Sequence, residues 1–185
     1  YVFTRSNGVS HDSLSHDGHG APTAYTGMIY SAFRPSDDAC VYGYLVPSNF
    51  FFLNELENLS QRMKTPESEA LARDIRNGLE KYAVIDNLYA YEVDGLGNAL
   101  FIDDANIPSL LSLPLLAGAS LDVDVYLNTR EFILSHSNPY FFSGSKAAGI
   151  GSQHTPTNHV WPIAMSVEAL TSPSQRKKVK DARHS

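Results

Sequence analysis

The stretch Pro47-Ser48-Asn49-Phe50-Phe51-Phe52-Leu53-Asn54-Glu55-Leu56-Glu57-Asn58-Leu59-Ser60-Gln61-Arg62-Met63, with Thr65-Pro66-Glu67 after it, decides the fold class. Its first part predicts a helix from Pro47 to about Met63. Ser48 or Asn49 can cap it, and Phe52, Leu56, Leu59 and Met63 recur at spacings of three and four along one face. Phe50, Phe51 and Phe52 in sequence suit burial on more than one side. A second helix starts at Thr65 as N-cap, with Pro66 at the first helical position and Glu67 and Glu69 in the first turn. Its stripe is Leu71, Ile75 and Leu79. Gly78 costs about 1 kcal/mol there relative to Ala, so its end should fray.

Outward from this pair, Leu88-Tyr89-Ala90-Tyr91 and Ala99-Leu100-Phe101-Ile102 flank Asp94-Gly95-Leu96-Gly97-Asn98, the pattern of a short β-hairpin. A helix is expected from Pro108 to Leu116, capped by Asn106. Another is expected from about Asp122 to Leu134, with Val125, Thr129, Phe132 and Ile133 inward. Residues 1–27 read as loop, 143–157 as a glycine-rich loop, and Pro162 to Leu170 as a last helix. Helices joined by loops, with one small hairpin, make the fold class mainly α.

Composition narrows the function. The 185 residues are 43% hydrophobic and 18% charged, enough for one core and too few for two ordinary domains. A net charge of −6 argues against a nucleic-acid partner or an anionic membrane. Cys40 is single, so no disulfide framework or thiolate metal cage is possible. No apolar run reaches the ~18 residues of a membrane span. The chain begins at Tyr1 without a signal-peptide pattern, and is expected to be a piece of something longer. Residues 173–185, with Arg176, Lys177, Lys178, Lys180 and Arg183, read as a basic, disordered tail.

Four polar clusters lie between these elements. In Arg34-Pro35-Ser36-Asp37-Asp38, Ser36 and the two acids read equally as a helix N-cap or as a site carboxylate. On consecutive helical positions one Asp would face a site while the other holds the helix. Glu92, Asp94, Asp103 and Asp104 come close across the hairpin; Asp94 and Asn106 also fit plain turn and cap roles. Their spacing does not match an EF-hand, so no metal is expected there. In Gly149–Pro156, His154 is a hydrogen-bond donor to a polar ligand, and Trp161 either stacks on a sugar or fills the core. His11, His16 and His19 with Asp12 and Asp17 could suggest zinc, but read better as solvated loop. Asn58-Leu59-Ser60 fits the N-glycosylation pattern by chance, in mid-helix.

Taken together and in order, Thr26-Gly27-Met28, Phe33 through Cys40, Tyr44 through Asn49, Tyr89 through Gly95, Asp103 through Leu113, Gly149 through Pro156 and Trp161-Pro162 resemble glycoside hydrolase family 125. These are exo-acting α-mannosidases, and the family includes fungal meiotically up-regulated gene products. The resemblance covers roughly residues 20–172. It implies part of an (α/α)6 barrel of the six-hairpin glycosidase type, with residues 1–172 belonging to one catalytic domain truncated at both ends. It also implies metal-independent cleavage of terminal α-1,6-linked mannose with inversion, and no cofactor. Tyr30 and Ala32 stand where the family more often has Trp and Gly, and Gln153 where it more often has Pro. After Leu170-Thr171-Ser172 the family continues to a catalytic-base glutamate in a Glu-Ser-Phe context, and here the basic tail follows instead.

Inversion needs one protonated carboxyl and one ionised carboxylate about 6.5–9.5 Å apart. The resemblance places the acid at Asp37 or Asp38, and the base is missing from these residues. Arg34, Asp94, Asp103, Asp104, His154 and Trp161 are the substrate-contact candidates. The expected partner is a mannose-containing oligosaccharide or glycan, met by a monomer, with no nucleic acid and no membrane within this span. The substrate class leans towards the secretory pathway. The alternative is a non-catalytic, mannan-binding relative. Residues 1–185 by themselves are expected to be inactive.

Overall fold

A computed structural model describes residues 2–6, 9–63 and 65–172, so the basic tail at 173–185 lies outside the described residues. The order of elements is α1 (Ser15–Gly18), β1 (Tyr44–Leu45), α2 (Val46–Ser60), α3 (Pro66–Tyr82), β2 (Val84–Ile85), β3 (Leu88–Tyr89), β4 (Glu92–Val93) and β5 (Ala99–Leu100). Then come α4 (Leu113–Leu116), α5 (Val123–Ile133), β6 (Phe141–Ser143), β7 (Ala148–Ile150) and α6 (Pro162–Leu170). The α1 segment is a single turn broken by left-handed His16 and Asp17, so the expectation of loop over 1–27 is close.

The helix pair α2 and α3 is the largest packing unit. α2 buries Val46, Asn49, Phe50 and Leu53, while Phe52, Leu59 and Met63 are exposed. The expected inward face of α2 is therefore wrong. Four consecutive apolar residues at 50–53 admit more than one face, and a polar residue sets the phase. Asn49 accepts from the Ile29 N–H (2.7 Å) and donates to the Ile29 and Leu45 carbonyls, which turns its side of the helix inward.

α3 begins as expected. The Thr65 hydroxyl accepts from the Ser68 N–H, Ser68 returns the bond to the Thr65 N–H, and Pro66 opens the helix. Its end does not fray; the helix runs intact to Tyr82. A Cβ on Gly78 would collide with the Thr26 carbonyl oxygen, and one on Gly27 with the Asp74 carbonyl. The two glycines let the 24–28 loop lie directly on the helix. Close approach, absent from a propensity scale, accounts for Gly78.

The expected hairpin is two. β4 pairs with β5 and, on its other edge, with β1; Leu88 and Tyr89 pair instead with β2. Asp86 and Asn87, both at positive φ (51° and 62°), make the two-residue turn between β2 and β3. α5 follows the expected bounds, with Asp122 capping Asp124 and Val125. Thr129 on α5 accepts from the Tyr89 N–H (2.8 Å), and the Asp122 N–H donates to the Tyr89 hydroxyl, fastening α5 to β3.

The helix expected from Pro108 to Leu116 shrinks to α4. Ser109 and Ser112 bond each other's backbone in a turn, and Asp103 takes the Leu110 and Leu111 N–H groups that a helix start would leave open. Asn106 is not its cap: its N–H and amide both donate to Asp104. The 143–157 loop contains β7, paired antiparallel with β6. Among the described residues, no helix is long and apolar enough to cross a membrane.

Candidate active site

Residues 33–39 form a closed loop rather than the start of a helix. Phe33 and Ala39 pair as an antiparallel bridge, the Arg34 N–H donates to the Asp38 carbonyl (2.8 Å), and the Asp37 N–H donates to the Arg34 carbonyl (3.0 Å). Asp37 takes the left-handed conformation that closes it (φ 68°), which Asp tolerates better than most residues. The helical placement of the two acids is thereby corrected, and their surroundings differ. Asp37 is exposed and Asp38 is 0% exposed.

Asp38 accepts the Ser36 hydroxyl on Oδ2 at 2.6 Å. Its other oxygen, Oδ1, is buried without a hydrogen-bond partner. It faces His11 Nε2 at 3.5 Å and His154 Nδ1 at 3.6 Å, beyond good hydrogen-bond length. His11 is drawn there because the Ala39 N–H donates to its carbonyl at 2.7 Å. The reading of the N-terminal histidines as solvated loop therefore holds for exposed His16 and His19, and fails for His11.

Arg34 is buried behind this point. Its Nε donates to Glu92 Oε1 at 2.5 Å, and Glu92 Oε2 accepts from the Val41 and Tyr42 N–H groups. Burial would lower the guanidinium's affinity for its proton, but the Glu92 carboxylate outweighs it and holds Arg34 charged. The guanidinium carbon lies 5.5 Å from the centre of the Tyr91 ring. Arg34 Nη1 and the Tyr91 hydroxyl are, like Asp38 Oδ1, buried polar atoms without partners. Buried polar groups are nearly always satisfied, so three such atoms on residues of the matching blocks call for a polar partner. Burial and the charges of Asp104 and Asp103 push the Tyr91 phenol well up, so it stays a donor.

Glu92 stood in the second acidic cluster read from sequence but not among the substrate-contact candidates. The usable signal was its place in the apolar run Ala90-Tyr91-Glu92-Val93: a strand acid so placed needs a cation, and Arg34 is the nearest candidate in the recognised blocks.

The remaining candidates divide. Asp104 accepts from Asn106 on one oxygen and from the Ser152 hydroxyl (2.7 Å) on the other, and Ser152 in turn accepts the His154 N–H. It holds the His154 loop. Asp103 is wholly buried, and burial, helped by the Asp104 charge, raises its carboxyl to about 8 against the pull of the Leu111 and Leu110 N–H groups. Asp94 is taken up by its own turn: it accepts from the Leu96 and Asn98 N–H groups and from the Asn98 amide. Burial works to raise it, but those bonds outweigh burial and keep it below its ordinary value. Trp161 is half-buried against the core and its indole N–H donates to Thr155 at 3.1 Å, bracing the His154 loop. Tyr140, whose hydroxyl donates to Gln153 at 2.5 Å, lies near the same groups, since Arg34, Asp104 and Asp38 all act on it electrostatically.

This arrangement meets known proteins at every level of comparison. The family model described as metal-independent alpha-mannosidase (GH125) matches residues 1–183. The chain belongs to that family. It is a GH125 sequence 42% identical over 186 residues to the meiotically up-regulated gene 157 protein of Schizosaccharomyces pombe, covering 93% of this chain and 36% of that one. Its fold is similar, at a TM-score of 0.83 and 42% identity, to a Streptococcus pneumoniae metal-independent alpha-mannosidase solved in a non-productive complex with alpha-1,6-mannobiose. That match covers 98% of this chain and 46% of the other. The GH125 span seen here is thus about a third of the yeast relative and about half of the bacterial one.

Proposed function

We propose that the chain carries the acid side of an exo-acting α-mannosidase that removes terminal α-1,6-linked mannose with inversion. Asp38 Oδ1 carries the reading: a wholly buried carboxyl oxygen, unpartnered, flanked by two histidines, in a GH125 chain. In this mechanism the Oδ1 proton passes to the leaving glycosidic oxygen while Ser36 fixes the other oxygen and hence the carboxyl plane. Arg34 Nη1 and the Tyr91 hydroxyl donate to sugar hydroxyls, and His154 and His11 flank Asp38. Asp104 and Trp161 position the His154 loop; Asp94 shapes a turn.

The base belongs elsewhere in the protein. Glu92, Asp103 and Asp104 each spend both oxygens on donors of this chain, which leaves none of them to hold an attacking water. A glutamate supplied by the rest of an (α/α)6 barrel, acting in a monomer, fits that gap. The alpha-1,6-mannobiose held by the bacterial relative supports the substrate class. The non-catalytic mannan-binding alternative gains nothing from a family described by its enzyme activity.

The test, made on the complete protein, is hydrolysis of α-1,6-mannobiose followed by NMR of the first-formed anomer, which should be β-mannose. Asp38→Asn should lower kcat by ~10²–10⁴-fold, and less on substrates with acidic leaving groups. Asp37→Asn should stay near wild type. The reverse order of the two variants would reassign the acid.

A further inference from the structure

His11, Asp38 and His154 come from three loops far apart in sequence, and their ligand atoms lie within 4.8 Å of one another. We propose that this trio is a site for a divalent transition-metal cation such as Zn²⁺, and that the cation inhibits the enzyme by occupying Asp38. Inhibition rests on the reading of Asp38 as the acid; binding does not.

Two imidazoles and one carboxylate form a ligand set that suits zinc and its neighbours and not Mg²⁺ or Ca²⁺. Zinc bound at about 2.0–2.1 Å puts neighbouring tetrahedral ligands about 3.4 Å apart. The two Asp38–histidine separations, 3.5 and 3.6 Å, already match. Both histidine side chains are partly exposed, at 37% and 46%, so a small rotation can close the third edge and leave the fourth position to solvent. Asp38 supplies the independent observation: Oδ1 is buried, unpartnered and aimed between the two rings, while Ser36 holds Oδ2 as an outer-sphere partner would. Local charge agrees, because the buried Arg34 cation is matched by Glu92. The site is an inhibitory one, compatible with a metal-independent reaction.

The experiment is titration of the complete, purified and EDTA-stripped protein, of which residues 1–185 are the span described, with ZnCl2 by calorimetry, without substrate, with MgCl2 in parallel. One Zn²⁺ should bind per chain and Mg²⁺ should not. His11→Ala and His154→Ala should each weaken Zn²⁺ by about tenfold or more, and His16→Ala should not. Zinc-edge X-ray absorption of the wild type, which needs no variant to fold, should show two imidazoles. In the mannobiose assay, saturating Zn²⁺ should lower kcat by about tenfold or more, reversed by EDTA. No Zn²⁺ binding, a first shell without two imidazoles, or equal binding by the His11/His154 double variant would overturn the site. Binding without inhibition would overturn the inhibitory role. A protein that binds Zn²⁺ but leaves mannobiose intact would overturn the mannosidase reading and leave the site standing.

Discussion

Arg34 and Glu92 place a full ion pair where both side chains are almost sealed from solvent, at 1% and 0% exposure. Such a pair is weak evidence for stability as a whole, yet breaking it is expensive, since the survivor is a buried, uncompensated charge. Glu92→Gln should therefore lower unfolding free energy by about 3–5 kcal/mol in denaturant melts, and also loosen the Val41–Tyr42 backbone it receives. Asp103 behaves differently. Its folded value of about 8 lies above the ordinary carboxylate value of about 3.9, so the native state holds the proton more tightly than the unfolded chain. Its contribution is full below about pH 4 and is lost as pH rises through about 8. Asp103→Asn, which cannot ionise, should show a flatter decline of stability between pH 5 and 8, at the cost of a poorer acceptor for the Leu110 and Leu111 N–H groups. An equal slope in the variant would refute the assignment. At this scale the sequence showed which blocks mattered but not each residue's employment. Which of Asp37 and Asp38 is buried turned on one left-handed residue, and Asp94 and Asp104 were claimed by neighbours through bonds that spacing does not reveal.

Among the elements, the legible ones were those whose signals are local. The Thr65–Pro66 start of α3, the bounds of α5 and the span of α6 follow from local signals alone. The illegible features were tertiary: the inward face of α2, fixed by Asn49 reaching Ile29, and the shortening of α4, where Asp103 reaches Leu110 and Leu111. Gly78 tests the distinction. In an exposed helix Gly→Ala stabilises by about 1 kcal/mol. Here the added methyl meets the Thr26 carbonyl, a backbone atom that cannot simply rotate away. Gly78→Ala should destabilise, by about 1–3 kcal/mol as overpacking does, read as a lower melting temperature. A rise in melting temperature would show that the 24–28 loop does not press on α3.

At the scale of the whole molecule, large apolar side chains remain on the surface of two helices: Phe51, Phe52 and Leu59 on α2, with Met63 just beyond it, and Ile163, Met165 and Leu170 on α6. Each Å² of apolar surface left in water forgoes about 25 cal/mol, against a net stability of only ~5–15 kcal/mol. Residues 1–185 expressed alone should accordingly aggregate or lack a cooperative melt in near-UV circular dichroism, and should release no mannose from mannobiose. A sharp melt with mannose release would show that the span is self-sufficient. The loops around Asp38 carry another consequence, one of timing. α2 and α3 are joined by a few residues and can pair as soon as both exist, whereas His11 and His154 meet across nearly the whole length of the chain. Contacts of such long sequence separation close late and slowly. On the ribosome, His11 and Asp38 must wait, already synthesised, until the 152–154 loop emerges, so the surroundings of Asp38 are completed late in this span. Any delay in translation downstream of α5 lengthens the interval in which Asp38 stands open to solvent.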